Sequence, residues 1–434
     1  MLGRRLWLEG LLVVLAGIGV TGHAQTLPAA LQHIGVDAQR ANIPIEEVLS
    51  GGPPPQGIPA LGFAGDAQRA ATASPAPQFV SQEQAADWLA DNEPVIAFHL
   101  HGQAKAYPLQ ILTWHEIVND DVAGVPVAVT FCPLCNSALA FDRRIPLGAQ
   151  SLERLAATNA EAAARASLAQ ADAAFLESYA QQEQHNTSAE QVQAVLETTF
   201  GVSGTLYLSN MLMFDDASST LWSQLLGEGN IGSLTDVRLL RYPAQIVSFA
   251  DFREAFPEAP VLSRETGFSR NYGRNPYVGY DDIDSPAFLF QGEIDGRLPP
   301  KARVISIERA AEVAAYPFDV IREEVVVHDS IADEPIVLFW QTGTASALDQ
   351  ATIASSEDIG AVGVFSRQVD EQVLEFMWDG ESFRDSQTSS RWNILGQAVA
   401  GTLQGRQLRP IVHDNTLWFA WAAFQPETRI YSVP

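Results

Sequence analysis

The chain has 434 residues, 47% of them hydrophobic, and a formal net charge of −26. That length implies two or three domains with ample chain for a core, and that hydrophobic share excludes a disordered polymer. The negative balance argues against nucleic acid and anionic membrane surfaces as partners, because both require positive potential, while it draws cations toward the protein.

Residues 1–24 read as a secretory leader. Arg4 and Arg5 supply its positive start, Leu11 to Val20 its short apolar core, and Gly22-His23-Ala24 the small residues that a signal peptidase reads. The apolar run is too short to span a bilayer comfortably. A periplasmic or secreted protein is therefore expected, with no stable membrane insertion after cleavage.

Residues 25–80 form an N-terminal arm and linker, with Leu49-Ser-Gly-Gly-Pro-Pro-Pro-Gln-Gly-Ile-Pro59 as its Gly/Pro-rich stretch. Ser81-Gln-Glu-Gln84 has capping-box spacing and opens a short helix. A strand follows over Val95–Leu100, and the next ends at Lys105-Ala-Tyr-Pro108. Helical periodicity then runs from Leu109 to Asp120, where His115 shares an apolar face with Ile111 and Val118.

The only two cysteines of the chain lie in Val127-Ala-Val-Thr-Phe-Cys132-Pro-Leu-Cys135-Asn136-Ser-Ala-Leu-Ala-Phe141. Alternating apolar residues on both sides predict strand, tight knuckle, strand. A Cys-Pro-X-Cys turn points both sulfurs and the turn amides into one small volume, as in a metal knuckle. Asn136 follows where a residue tolerant of positive φ is needed. The same residues also suit a redox dithiol or a short structural disulfide.

Residues 146–195 are Ala-rich and predict a helical hairpin standing off the sheet. Beyond it, Thr266 to Asp282 is a loop rich in Gly, Tyr and Arg, suited to wall a ligand cleft for a small-molecule or protein partner or to connect two units.

The chain also repeats itself. Ala106-Tyr-Pro108 recurs as Ala315-Tyr-Pro317, Pro126 to Phe131 as Pro335 to Trp340, and Ser137-Ala-Leu139 as Ser346-Ala-Leu348. Leu221 to Gly227 echoes Arg391 to Gly396, and Phe249 to Pro257 echoes Trp418 to Pro426, after the offset has shrunk by about forty residues. The expected fold is α+β, mainly antiparallel β, in two tandem pseudo-repeats: 81–265 with the cysteines, a loop over 266–300, and 301–434 without them. Deleting residues 148–194 is then expected to be tolerated, because the second copy makes the same connection without them.

In the second copy Cys132 corresponds to Gln341, Cys135 to Thr344 and His115 to Glu324, while Asn119 becomes His328. Because the thiols and the helix histidine vanish together, Cys132, Cys135 and His115 are the leading ligands for one metal ion, copper or zinc, with one position open. His99, His101, Asp120, Met211 and Met213 are the further candidates. A metal-free dithiol oxidoreductase and a binding or structural module with a Cys132–Cys135 disulfide are the alternatives, and whether the protein is an enzyme stays open. No haem attachment sequence, phosphate-binding Gly-loop, hydrolase elbow or zincin helix is present.

Trp114-His-Glu-Ile-Val-Asn-Asp120, the Cys-Pro-Leu-Cys knuckle and Tyr272-Gly-Arg-Asn-Pro-Tyr277 together resemble the secreted, mostly bacterial family called domain of unknown function 3179. Ile43 to Pro54, Val202 to Tyr207 and Arg297 to Pro300 resemble further blocks of it, so nearly the whole mature chain is covered. The sequence departs from the family pattern in the Ala-rich insertion and in Asn136, where Gly is usual. The resemblance implies class and location, and no activity.

Overall fold

A computed structural model of the protein describes residues 29–65, 73–168, 171–182 and 188–433. The leader and part of the linker lie outside the described residues. The fold is α+β and mainly antiparallel, with short strands outnumbering helices.

The first half begins with a hairpin of β1 (Pro94–Leu100) and β2 (Gln103–Pro108), then α1 (Leu109–His115), β3 (Ile117–Val122), β4 (Val125–Cys132) and β5 (Ser137–Asp142). The helix is shorter than its periodicity predicts. Glu116 adopts φ 58, which ends α1, and the β-branched Ile117 and Val118 go directly into the next strand. Strands β3, β4 and β5 pair antiparallel in order, and β4 is buried along its whole length.

Three helices follow, α2 (Ala149–Thr158), α3 (Ala160–Leu168) and α4 (Ala173–Ala180), the longest among the described residues. They do not stand off the sheet. Leu155 and Ala162 join the cluster that contains the cysteines, and Phe175 and Tyr179 join a second cluster with Phe131 and Leu240. Propensity marked the helices, but it carries no information on which of their faces the core needs.

Next come β6 (Phe200–Tyr207), β7 (Asn210–Asp215), β8 (Gln245–Ser248) and α5 (Phe249–Ala255). The later half runs β9 (Arg303–Arg309), β10 (Glu312–Pro317), α6 (Phe318–Glu324), β11 (Val326–Ile331), β12 (Glu334–Gln341), β13 (Ala361–Ser366), β14 (Asp414–Leu417) and α7 (Trp418–Phe424). Registers recur between the halves: Val95 faces Pro108 as Val304 faces Pro317, and Ile117 faces Thr130 as Val326 faces Phe339. Trp222 donates to Asp215 at 2.9 Å as Trp392 donates to Asp385 at 3.0 Å.

The correspondence stops at the knuckle. Cys132 pairs with Ser137 across a tight turn, whereas Gln341 pairs with Ala361 after a long excursion that includes Thr344. Leu417, Phe419 and Ala420 of the later half sit in the cluster around the cysteines, so the two halves share core.

Candidate functional site

The knuckle forms because β4 and β5 are pulled into one hairpin while the turn must reverse in four residues. Cys135 N–H donates to Cys132 O at 3.2 Å, and Asn136 takes φ 53, the left-handed conformation its position requires. Strand β14 clamps the turn from outside. Leu417 N–H and Thr416 Oγ1 donate to Cys135 O at 2.9 and 3.0 Å. Ser137 Oγ and Ala138 N–H donate to the Asp414 carboxylate at 2.7 and 3.1 Å. Asp414 is fully buried, and that burial pushes its pKa up to about 6 against the opposing Ser137 bond and Arg241 charge.

Both thiols are free and almost completely buried. Burial alone would oppose ionisation of Cys132, but its sulfur accepts from the Cys135 thiol and from the backbone N–H groups of Met211, Cys135 and Leu134. The bonds win, and Cys132 lies below the ordinary thiol range. Cys135 moves the opposite way. Burial, its donation to Cys132 and the Cys132 charge all push it well above that range. The Cys135 proton has a second acceptor within reach, Ser209 O at 3.4 Å, and Asn210 Nδ2 donates to the Cys135 sulfur at 3.5 Å.

Glu116 is the residue that the fold adds to this pair. Its backbone is fixed from both sides, its N–H donating to Leu112 O at 2.7 Å and its carbonyl accepting from Phe131 N–H at 2.8 Å. A left-handed glutamate is uncommon and strained, and here its residue lines the cavity that Leu134 and Tyr277 also line. Burial first, then the Cys132 charge, raise the Glu116 pKa well above the carboxylate range, and the long 3.5 Å bond from Tyr277 OH offsets little of it.

His115 is turned to other partners. Its Nδ1 lies 2.7 Å from Pro59 O and its Nε2 2.6 Å from Tyr272 OH. A carbonyl only accepts, so Nδ1 carries the proton and Nε2 accepts from the tyrosine. Burial, with a contribution from Arg270, lowers its pKa to about 4. The ring ties the N-terminal arm and the Gly/Tyr/Arg loop to α1. Among the described residues no group of three or more His, Cys, Asp or Glu is arranged to hold a metal ion. His99 stacks on Phe256, His101 lies exposed in a turn, and Asp120 is taken by Lys105 and Tyr107. Met213 is core, but Met211 faces the site.

Beside the knuckle lies a cavity of about 360 Å³ lined by Glu116, Leu134, Met211, Tyr277, Tyr280 and Phe288, among others, and by neither cysteine. The loop over residues 266–282 therefore provides two aromatic walls. Tyr280 is fixed by its bond to Leu134 O at 2.9 Å and by Lys301, whose Nζ lies 3.3 Å from the ring centroid. The arm closes another side, with Gly51 N–H bonded to Gly204 O at 2.8 Å. Gly204 must be glycine here: it has φ 74, and a Cβ would fall 2.2 Å from Pro53 O.

A protein-family model described as "Protein of unknown function (DUF3179)" matches residues 55–428. The chain belongs to the DUF3179 family. No curated protein and no solved structure matches it. Among the described residues, no helix of this DUF3179 member is long and apolar enough to cross a membrane.

Sequence reasoning found the knuckle and offered the loop tyrosines as walls of a cleft, as Tyr277 and Tyr280 are here, but left Glu116 without a role. A signal for Glu116 existed one residue past the comparison that singled out His115. Its counterpart is Val325, which takes the same left-handed conformation at φ 63 with no acid to present.

Proposed function

We propose that Cys132 and Cys135 form a reactive dithiol acting on a small molecule in the adjoining cavity, which makes the protein an oxidoreductase. Two free, buried thiols at the ends of one four-residue turn, driven in opposite directions by their surroundings, carry this reading. Cys132 is the attacking thiolate. Cys135 keeps its proton until a mixed disulfide or adduct on Cys132 offers it a target, and then closes the Cys132–Cys135 bond. Burial keeps protein surfaces away, so the partner is small. An exported location, suggested by the leader-like start, fits an oxidising supply of such partners.

The test is a redox titration of reduced protein in dithiothreitol buffers, read by mass spectrometry after thiol trapping. One reversible intramolecular disulfide is expected, with Cys135→Ser trapping a small disulfide on Cys132 and Cys132→Ser trapping none on Cys135. A pair that stays reduced at every poise overturns the reading.

A second reading is favoured by Met211, which packs in the same buried cluster as both cysteines and lines the neighbouring cavity. Two thiolates with a thioether suit a single Cu(I), more than the zinc site that His115 would have completed. Anaerobic titration with Cu(I) and Zn(II) separates them: tight uptake of one Cu(I), lost in Met211→Leu, supports it, and no uptake dismisses it.

A further inference from the structure

A second cavity, of about 240 Å³, lies where three parts of the chain meet. Helix α4 and the turn after it bring Ser178 and Gln181, and the short strand Arg241–Tyr242, which pairs with β5, brings Arg241. The end of β9 brings Glu308 and Arg309, and Arg409 comes from the segment before β14. Lys and Arg together are half as numerous as Asp and Glu in this chain, 26 against 52, yet three arginines line this one cavity against a single carboxylate, Glu308. An ordinary stretch of acidic surface has the opposite balance.

Arg241 is the telling residue. Its side chain is only 7% exposed, and its Nε has no hydrogen-bond partner among the described residues. Glu308 stays 3.7 Å from Arg241 Nη1, beyond hydrogen-bonding range, and is itself held by Arg238 at 3.1 Å. Asp414 acts on Arg241 through space, but its oxygens accept from Ser137 and Ala138. A guanidinium carries five N–H donors, and burying one charged and unbonded is costly. The backbone cannot relax to relieve it, because Gln182 accepts from Arg241 N–H at 3.0 Å and donates to Arg241 O. Positive charge is in excess around it. Arg309 and Arg409 share one carboxylate, Glu334, which does not line the cavity, while Arg238 divides itself between Glu228 and Glu308.

We propose that this cavity is a binding site for a small organic oxyanion, a carboxylate or phosphate on a compact apolar body. The oxyanion satisfies the unbonded Arg241 guanidinium and is clamped by Arg309 and Arg409, whose planar forks match such oxygens two at a time. Leu100, Ile411 and Val412 supply an apolar wall for the body, in a volume larger than an oxyanion group alone fills. Ser178 and Gln181 belong to the Ala-rich segment, so that segment completes a site and does more than fill the core. Neither thiol lines this cavity, and failure of the proposal would leave the dithiol reading standing.

The test is calorimetric titration of the full-length protein at low ionic strength with phenyl phosphate, benzoate and the uncharged benzyl alcohol. One saturable site is expected for at least one of the two acids and none for the alcohol, and the tighter acid identifies the oxyanion. Added sodium chloride should weaken the binding. Arg241→Gln should weaken it about ten- to a hundredfold, as expected for losing a hydrogen bond to a charged group. Should that buried substitution prevent folding, Arg409→Gln and Gln181→Glu carry the test from exposed positions, each with an expected loss of about three- to fivefold. Absence of saturable binding of both acids overturns the proposal. So does binding that Arg409→Gln and Gln181→Glu leave unchanged, or benzyl alcohol bound as tightly as the acids. Inorganic phosphate bound as tightly as phenyl phosphate would overturn the organic body.

Discussion

Replacing Cys135 by Ala removes the thiol hydrogen bond to the Cys132 sulfur and leaves the backbone donors from Met211 and Leu134 in place. A hydrogen bond to a charged acceptor is worth about 1.5–3 kcal/mol, and about 1.4 kcal/mol is a factor of ten in ionisation. At a fixed pH below the thiol's titration, the thiolate fraction of Cys132 should therefore fall about ten- to a hundredfold. Cys135→Ser is the matched reference, because its hydroxyl still donates and the buried volume scarcely changes. The assay is the rate of Cys132 alkylation by iodoacetamide across pH, which follows the thiolate. The Ala variant should give a profile displaced to higher pH relative to Ser, with the same plateau rate. Coincident profiles would mean that Cys135 does not polarise Cys132, and the division into attacking and resolving thiols would fall.

The helical segment 148–194 is now expected to be indispensable, since Leu155, Phe175 and Tyr179 are buried and such side chains are worth about 3–5 kcal/mol each. Its deletion should lower the urea midpoint strongly or abolish cooperative unfolding, and a variant as stable as the parent would return it to decoration. For His115 the folded pKa of about 4 lies below the ordinary 6.5, so the unfolded chain binds the extra proton. Its contribution is complete above pH 6.5 and is lost as pH falls toward 4, about 3 kcal/mol in all. Asp414 has the opposite sign, its stabilising effect fading as pH rises from the ordinary carboxylate range through about 6. Denaturation of wild type and His115→Gln at pH 7 and pH 4.5 isolates the histidine: their stability difference should shrink on acidification, and a constant difference refutes the assignment. Asp414→Asn should cost about 1–3 kcal/mol, because its amide cannot accept from both Ser137 and Ala138 on equal terms; unchanged stability would show that β14 does not clamp the knuckle.

The parts of the fold legible in the sequence were those governed by local periodicity and backbone preference. Alternation gave the β4 and β5 strands, and Cys-Pro-Leu-Cys-Asn gave the turn with Asn136 left-handed, because both depend on residues that are neighbours in sequence. The site's other walls come from far along the chain. Gly51 and Pro53 of the arm, Met211 of β7 and Tyr277 and Tyr280 of the loop meet at the cavity only through tertiary packing, which no spacing encodes. The surroundings of His115 depend on tertiary packing too. Periodicity detects that a residue is buried, but its burial answers to Pro59 and Tyr272, not to the thiols. Glu116 fell inside the expected Leu109–Asp120 helix, and only the earlier end of α1 gave it a conformation of its own.

The strain at Glu116 is not in itself the mark of a site, because Val325 bears the same strain in the later half. Both residues are held by equivalent bonds: Val325 N–H donates to Ile321 O at 2.7 Å and its carbonyl accepts from Trp340 N–H at 2.9 Å, as Glu116 bonds Leu112 and Phe131. A β-branched residue at φ 63 costs about 1–2 kcal/mol, so the helix-to-strand reversal, and not the residue's preference, imposes the conformation. What differs is the use made of a backbone that is already fixed. At the strand end where the later half has Gln341, its amide donates to Asp251 at 2.6 Å, a static bond that ties β12 to α5. The corresponding position in the first half is Cys132, a buried free thiol; burial first and then its charge raise the Glu116 pKa. The same rigid turn presents Val325 in the later half and Glu116 in the first, so the two halves differ here in the side chain and not in the backbone.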